Sequence, residues 1–413
     1  MRLLKEILKE IRPSKEDEKI VRVRIDSVLK RINKGLKDAK AELGGSGAKG
    51  TWLKQFDADI FVKFNYNKFK DKSDKLSGIL EKHLKKVFKR VTRLHGSRDY
   101  FQVKEKGYTF EIVPILNIKK AEEAMNITDV SPLHAKWVLK HKKYLDEIRL
   151  TKKFCKAVKV YGAESYIHGF SGYICEILTV YYKGFLKLVR EASKWKDKVV
   201  IDINNYYKNK NVLFELNKSK LVSPLVIVDP VQADRNAAAA ISKENFERFK
   251  EGCKKFLKKP SKDFFVEKEI TKEDLVKKAG NNKLIFLEVV PLRGKEDIIG
   301  GRLAKAFKFI KNKIEFYDFK LKDCGWEWKR EGKAKFWYIV DKKDLSKIKK
   351  IIGPPVFLKY HVKRFRKKYK KTFVEGKKVC SNVKRKYCKI EDLIKDLVKD
   401  KYVKERAKRL MVH

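Results

Sequence analysis

Hydrophobic positions in the first quarter of the chain recur mostly at helical spacing. A first helix is predicted over residues 2–11, where one face carries Leu3, Leu4, Ile7, Leu8 and Ile11. A second helix is predicted over 14–40 after Pro13, because Ser14 and Asp17 have the spacing of a capping box. A third amphipathic pattern predicts a helix over 74–91.

Shorter apolar runs between these helices predict strands. One strand is expected at 57–64, and a hairpin is expected over 98–116 with its turn at Lys106-Gly107. Helical periodicity returns over 147–195 and 243–257, and Pro260-Ser261 indicates a linker. Beyond it, a β-α-β-β order is expected, with elements at 283–290, 301–313, 314–319 and 335–340. These patterns predict an α+β protein of several domains.

A glycine-rich turn followed by two spaced carboxylates is the first candidate for chemistry. Gly44-Gly45-Ser46 precedes Asp57-Ala58-Asp59, and the second of these segments opens the predicted strand. Side chains alternate along a strand, so Asp57 and Asp59 are expected on one face, where a cation would relieve their repulsion. Mg²⁺ binds a few carboxylates and completes its shell with water and substrate phosphates. The Gly-Ser turn would offer those phosphates backbone N–H groups.

Gly-Ser, a spacer of about ten residues and Asp-x-Asp together resemble the polymerase-β-like nucleotidyltransferase superfamily. The alternative reading is a plain turn followed by an edge strand. The resemblance implies a third carboxylate, and Glu111, alone in the apolar run Phe-Glu-Ile-Val-Pro, is the candidate. It further implies two Mg²⁺ ions held by Asp57, Asp59 and Glu111, one activating a 3′-hydroxyl and one holding the leaving pyrophosphate.

The amino-acid composition predicts that the protein binds a polyanion. The 413 residues include 103 Lys and Arg against 53 Asp and Glu, a net charge of +50. Such an excess favours nucleic acid bound through phosphate contacts. The six cysteines form no CxxC, no apolar run reaches about 18 residues, and no signal-peptide core is seen. These features predict a soluble intracellular protein, and we expect it in the cytoplasm.

Several further segments resemble one family within that superfamily, the archaeal class I CCA-adding enzymes. The matching segments are Ser-Pro-Leu-His at 131–134, Tyr-Gly-Ala-Glu at 161–164, Gly-Phe-Ser-Gly-Tyr-Ile-Cys-Glu at 169–176, and Asp-Pro-Val with Arg-Asn at 229–236. The resemblance implies a nucleotidyltransferase head at 1–145 with a mixed sheet, a mostly helical neck at 146–262 and an α+β RNA-binding body with a basic tail at 263–413.

The resemblance also implies a reaction and a set of binding residues. The reaction is addition of C, C and A to the tRNA 3′ end from CTP and ATP, with recognition of the acceptor and T arms. The nucleotide-binding residues it implies are Gly45, Ser46, Lys49, Ser131, His134, Lys152, Tyr161 and Arg235, the last reading the base edge. The chain departs from the family pattern at Lys49, Asp57, Glu111 and Gln232, where Arg, Glu, Asp and an acid are usual.

The last part of the chain contains a strongly basic segment. Residues 359–386 hold thirteen Lys or Arg against Glu375 and are interleaved with aromatics, which favours a basic helix that tracks RNA over a solvated surface. One rival is another enzyme of the superfamily, such as a poly(A) polymerase or an oligoadenylate synthetase. The other is a catalytically silent RNA-binding protein. The sequence leaves the oligomeric state open, with a homodimer as one option.

Overall fold

The structure is a computed structural model and describes residues 2–54 and 58–413. It separates into two compact units, Met1–Lys268 and Glu269–His413. The helices of the first unit are α1 (Arg2–Ile11), α2 (Lys15–Asn33), α3 (Gly45–Lys49), α4 (Tyr66–Phe69), α5 (Leu76–Val87), α6 (Ser131–Leu139), α7 (Leu145–Ala157), α8 (Gly172–Tyr181), α9 (Phe185–Ala192), α10 (Val212–Glu215) and α11 (Lys243–Lys258). Its strands are β1 (Ala39–Leu43), β2 (Ala58–Phe64), β3 (Thr92–Leu94), β4 (Tyr100–Glu105), β5 (Tyr108–Leu116), β6 (Val199–Asp202) and β7 (Leu225–Val228).

The first part of this unit is a mixed five-stranded sheet in the order β1-β2-β5-β4-β3. Strands β2 and β5 are parallel, and the other neighbours are antiparallel. One face is buried against α2 and α5, with Ile60, Val62 and Ile112 fully covered. The sheet with its helices confirms the head that the resemblance implied, and the hairpin turn at Lys106-Gly107 is confirmed as well.

A second core lies among several later helices of the first unit. Helices α7, α8, α9 and α11 contribute buried residues such as Phe154, Phe185 and Phe249. Helix α1 packs into this same core through Leu4 and Ile7, although the predicted head range includes it. A parallel pair, β6 and β7, also lies here and was not predicted. The division of this unit at residue 145 stays a prediction.

Two expected boundaries in the first unit differ from the structure. Helix α2 confirms the Ser14–Asp17 capping box, but it ends at Asn33 because Gly35 adopts a φ of +76° and β1 begins at Ala39. Pro260 and Ser261 do not separate the units. The short 3₁₀ helix Lys262–Phe265 follows them, and Phe265 is buried with its ring 6.0 Å from that of Phe154.

The second unit contains two sheets. Its helices are α12 (Lys272–Ala279), α13 (Glu296–Phe316), α14 (Lys359–Lys368), α15 (Ile390–Leu397) and α16 (Lys401–Lys404). Its strands are β8 (Lys283–Pro291), β9 (Leu321–Glu327), β10 (Ala334–Val340), β11 (Ile348–Pro355), β12 (Phe373–Glu375), β13 (Lys378–Lys384) and β14 (Ala407–Val412). The sheet orders are β14-β8-β10-β9 and β11-β13-β12. The predicted β-α-β-β order is confirmed by β8, α13, β9 and β10.

Two predictions for this unit were wrong in detail. The strand expected at 314–319 is not formed there, because Ile310 and Ile314 continue the buried stripe of α13 and the strand starts at Leu321. The basic segment 359–386 is helical only as α14. Most of the rest forms the hairpin of β12 and β13, which turns at Gly376 with a φ of +59°. None of the described helices is long and apolar enough to span a bilayer.

Candidate active site

Two of the three predicted metal-binding carboxylates lie side by side. Asp59 on β2 and Glu111 on β5 are register partners in adjacent parallel strands. Such strands lie about 4.8 Å apart, and partnered side chains point to the same face. Their neighbours Ile60 and Ile112 are buried on the opposite face, so both carboxylates lie on the face away from α2 and α5. The third predicted ligand, Asp57, lies outside the described residues.

The glycine-rich turn packs directly on this face. The Gly44 N–H donates to the Asp59 carbonyl at 2.7 Å. Gly45 adopts a φ of +52°, and a Cβ at this position would lie 1.6 Å from Asp59 Oδ2. Only glycine permits both the backbone conformation and the close approach. Helix α3, which carries Ser46, therefore begins against a predicted metal ligand.

The side chains at this site fit Mg²⁺ in their chemistry. Asp59 and Glu111 supply only carboxylate oxygens, the ligand type that Mg²⁺ prefers. Within residues 2–54 and 58–413, no group of three or more His, Cys, Asp or Glu side chains could hold a metal ion. A three-carboxylate site on this face would therefore depend on Asp57.

The predicted phosphate-binding lysines meet at a buried carboxylate. Glu176 on α8 is 1% exposed, and it accepts from Lys152 Nζ at 2.7 Å and from Lys49 Nζ at 2.9 Å. Burial by itself would raise the pKa of Glu176, but the two ammonium groups hold it at about 2. Burial also lowers the pKa of Lys152, an effect that Glu176 opposes. The cluster contains two cations and one anion.

Tyr161 lies beside this cluster. Its hydroxyl is 3.0 Å from the point where a Cβ on Gly172 would sit, and Lys152 Nζ is 3.5 Å from the same point. Both groups therefore meet the first turn of α8. Burial raises the pKa of Tyr161, so its phenol is protonated and able to donate.

A second buried carboxylate organises the predicted base-recognition residues. Asp229 follows β7, is fully buried and accepts hydrogen bonds from Arg235 and from Tyr173. His134 Nε2 lies 3.2 Å from Asp229 Oδ2, and the His134 ring stacks on Tyr173 at 3.9 Å between centroids. Burial would raise the pKa of Asp229, but His134 and Arg235 lower it to about 2. Burial lowers the pKa of His134, which favours the neutral imidazole.

The Asp59–Glu111 pair, the Glu176 cluster and the Asp229 cluster are linked through α3 and Tyr173. Gly45 adjoins Asp59 and Ser46 follows it in α3, while Lys49 at the end of the same helix reaches Glu176. Lys49 Nζ also lies 5.1 Å from the centroid of the Tyr173 ring, whose hydroxyl binds Asp229. Ser131 begins α6, one helical turn before His134.

The sequence assigned no role to Glu176, and it offered Asp229 only as one of two possible bridging partners of Arg235, beside Asp234. Glu176 stands among Ile174, Cys175, Ile177 and Leu178, all buried, and Asp229 directly follows the fully buried strand β7. A lone acid in such a setting must be paired when it is buried. That signal was present in the sequence, but the partners were not evident, because Lys49 and Glu176 are 127 residues apart.

Comparison with known proteins places the chain in a family. Three family descriptions match consecutive regions: "Nucleotidyltransferase domain" at 24–144, "tRNA nucleotidyltransferase, second domain" at 146–266, and "CCA-adding enzyme, C-terminal domain" at 293–405. The CCA-adding enzyme of Nanoarchaeum equitans is 35% identical over 88% of both chains. That of Methanocaldococcus jannaschii is 32% identical over 96% of this chain and 90% of its own.

Solved structures agree on the fold. A cytoplasmic RNA terminal U-transferase aligns with a TM-score of 0.51 at 14% identity, covering 65% of this chain and 98% of that one. The Cid1 terminal uridylyl transferase aligns with a TM-score of 0.52 over the same shares. At this identity the likeness shows a shared fold only. The sequence relatives at 32–35% identity cover nearly the whole chain, and the protein therefore belongs to the archaeal-type CCA-adding enzymes, nucleotidyltransferases with a polymerase-β-like head.

Proposed function

We propose that this protein adds C, C and A to the 3′ end of tRNA, using CTP and ATP and releasing pyrophosphate. The observation that carries the proposal is the pairing of Asp59 with Glu111 beneath the Gly44-Gly45 turn, in a chain of this family. Carboxylates on one face beside a glycine turn that begins a helix suit nucleotidyl transfer from a triphosphate.

Asp57, Asp59 and Glu111 would hold two Mg²⁺ ions. Bound there, the ions would activate the 3′-hydroxyl of the tRNA and neutralise charge on the leaving pyrophosphate. The separation of the Asp59 and Glu111 strands, about 4.8 Å, suits carboxylates that share a cation site.

The triphosphate would lie along α3 and the first turn of α8. Ser46 and the Gly45 backbone begin α3 beside Asp59, and Lys49 and Lys152 bring two ammonium groups against one carboxylate. The cluster thus keeps a net positive charge for an anion. Tyr161, protonated and next to Lys152, would donate to a phosphate oxygen.

The base and ribose would face the Asp229 cluster. A neutral His134 has one donor and one acceptor nitrogen, and either suits a ribose hydroxyl. Ser131, one turn earlier on α6, would add a hydroxyl to the same side. Arg235, 29% exposed in its side chain, keeps guanidinium donors for the acceptors of cytosine or adenine.

The second unit would supply tRNA binding. Helix α14 presents exposed Lys and Arg, and its segment has thirteen basic residues against Glu375. Phosphate contacts of this kind recognise the A-form acceptor and T arms by shape. A homodimer and a cytoplasmic location remain predictions from the sequence.

The decisive experiment uses tRNA that ends at the discriminator base. We expect two added nucleotides with CTP alone, three with CTP and ATP together, and none in an Asp59→Ala control. Long adenosine tails would indicate a poly(A) polymerase instead. Binding of tRNA without any extension would indicate a silent RNA-binding protein, and either result would overturn the proposal.

A further inference from the structure

Glu176 connects parts of the first unit that are distant in sequence. Its Oε1 accepts from Lys152 Nζ at 2.7 Å and from Thr51 Oγ1 at 2.9 Å, and its Oε2 accepts from Lys49 Nζ at 2.9 Å. Lys152 Nζ also donates to Thr51 Oγ1 at 2.8 Å. The carboxylate thus ties the end of the glycine-rich segment and helix α7 to helix α8, which carries it.

This cluster is almost closed to solvent. The side chains of Lys49, Lys152 and Glu176 are 12%, 5% and 1% exposed, and Thr51 is fully buried. Two buried ammonium groups beside each other would repel strongly without the carboxylate between them. Glu176 therefore determines where both Nζ atoms sit and keeps them together.

We propose that Glu176 is a positioning residue for nucleotide binding, which holds Lys49 and Lys152 together so that both meet the triphosphate. The inference rests on the proposed function, which assigns both lysines to that triphosphate. A positioning role for Glu176 explains why Lys49 and Lys152, both predicted to bind the triphosphate, are paired with its carboxylate. One carboxylate between two lysines fixes their geometry and still leaves one positive charge in excess.

The principal test is Glu176→Gln in the full-length protein, with steady-state kinetics on tRNA. We expect the KM values for CTP and ATP to rise together by roughly tenfold or more. This is the change in affinity expected when one charge-assisted hydrogen bond is lost. The Kd for tRNA should stay within about twofold, since phosphate contacts elsewhere hold the RNA. The CTP to UTP preference should also be unchanged.

A pH profile separates positioning from a merely structural role. Lys152 faces Glu176 and Cys175 on α8, Lys49 and Thr51 from the α3 segment, and the Tyr161 hydroxyl. Glu176 is the main group that raises the pKa of Lys152, so its neutralisation lets that pKa fall further. In Glu176→Gln the KM for CTP should therefore climb with pH between 7 and 9, whereas that of the wild type should change less.

Two controls keep the test specific. Glu147→Gln makes the same chemical change on α7, but Glu147 Oε2 accepts from the Phe185 N–H, at the start of α9. The KM values of Glu147→Gln for CTP and ATP should match those of the wild type. Thr51→Ser keeps the hydroxyl shared by Glu176 and Lys152, whereas Thr51→Val removes it. Only the valine variant should raise the nucleotide KM.

The outcomes discriminate among the inferences. A folded Glu176→Gln with unchanged or lower nucleotide KM overturns the positioning role. If that variant does not fold, equal KM values in Thr51→Ser and Thr51→Val overturn it instead. A Lys152→Met variant with unchanged nucleotide KM would refute the assignment of Lys152 to the triphosphate. A wild type that extends no tRNA would refute the proposed function itself.

Discussion

Arg235 donates a hydrogen bond to the buried carboxylate of Asp229, six residues earlier in the chain. The sequence allowed Arg235 either to read a base or to bridge Asp229 or Asp234. The structure shows the bridge to Asp229, while Asp234 pairs with Lys220 at 3.0 Å. A bridged guanidinium still has other N–H donors, because Arg carries five in a fixed plane. Asp229 can therefore orient Arg235 without occupying its whole donor set.

The first prediction concerns nucleotide choice. Arg235→Ala should lose discrimination between CTP and UTP by about tenfold or more, because a guanidinium that pairs with a base edge is worth about 1–3 kcal/mol. Correct nucleotides should also be incorporated more slowly. Incorporation ratios measured beside a melting curve test this. An unchanged CTP to UTP ratio together with lost stability would mean that Arg235 is purely structural.

The second prediction concerns pH and the Asp229 cluster. His134 and Arg235 depress the pKa of Asp229 to about 2, so its stabilising effect is present above about pH 4 and is lost as the pH falls toward 2. At pH 7, Asp229→Asn should lower the free energy of unfolding by roughly 3 kcal/mol. This difference from the wild type should narrow on acidification, as measured by urea unfolding at pH 7, 5 and 3.

Asp234→Asn is the matched control for that measurement, because it lies in the same loop and its side chain is 70% exposed. Exposed ion pairs contribute about 0–1 kcal/mol, so its unfolding free energy should follow that of the wild type at each pH. A difference between wild type and Asp229→Asn that stays constant from pH 7 to 3 would contradict the cluster's role.

The third prediction concerns the carboxylate pair. Asp59→Ala and Glu111→Ala should each reduce incorporation of C and A by several orders of magnitude, because a metal site loses a ligand. The Kd for tRNA should change little, since distant cations bind the RNA. Glu42→Gln is a suitable control, because Glu42 lies on the neighbouring strand β1 and pairs with Lys63. Substantial Mg²⁺-dependent turnover in Asp59→Ala would exclude Asp59 as a ligand.

The fourth prediction concerns the basic helix α14. Reversing the charges of Lys363, Arg364 and Lys367, all exposed, should weaken tRNA binding and flatten its salt dependence. The log–log slope should fall by roughly one for each phosphate that the protein no longer neutralises. Binding isotherms at several salt concentrations measure the slope.

A control set makes the same change of charge elsewhere. Lys82 and Lys86 on α5 and Lys89 just after it are exposed on the helix side of the sheet, opposite the Asp59 face. Their reversal should change the slope less than reversal in α14. Equal slopes in the two variants would mean that α14 is only a solvated surface.

Much of the head followed from local pattern. Apolar positions at helical spacing predicted α1, α2 and α5, and the capping box at Ser14 predicted where α2 begins. These features depend on residues close in sequence, so local reasoning reaches them. The extent of α13 was misjudged because Ile314 fits a strand or a helix equally well until its buried neighbours are known.

The sequence by itself determined the main helices and strands of the head, the family resemblance and the residue types available for chemistry. It also placed Asp59 and Glu111 on apolar strands, but their register as neighbours was decided only when β2 and β5 paired in parallel. The tertiary structure alone decided that Lys49 and Lys152 share Glu176, and that His134 and Arg235 share Asp229. Burial makes an unpaired charge costly, so each buried carboxylate takes whichever charged or polar partners the packed elements bring to it. Those partners come from segments up to 127 residues apart, a separation that no local pattern records.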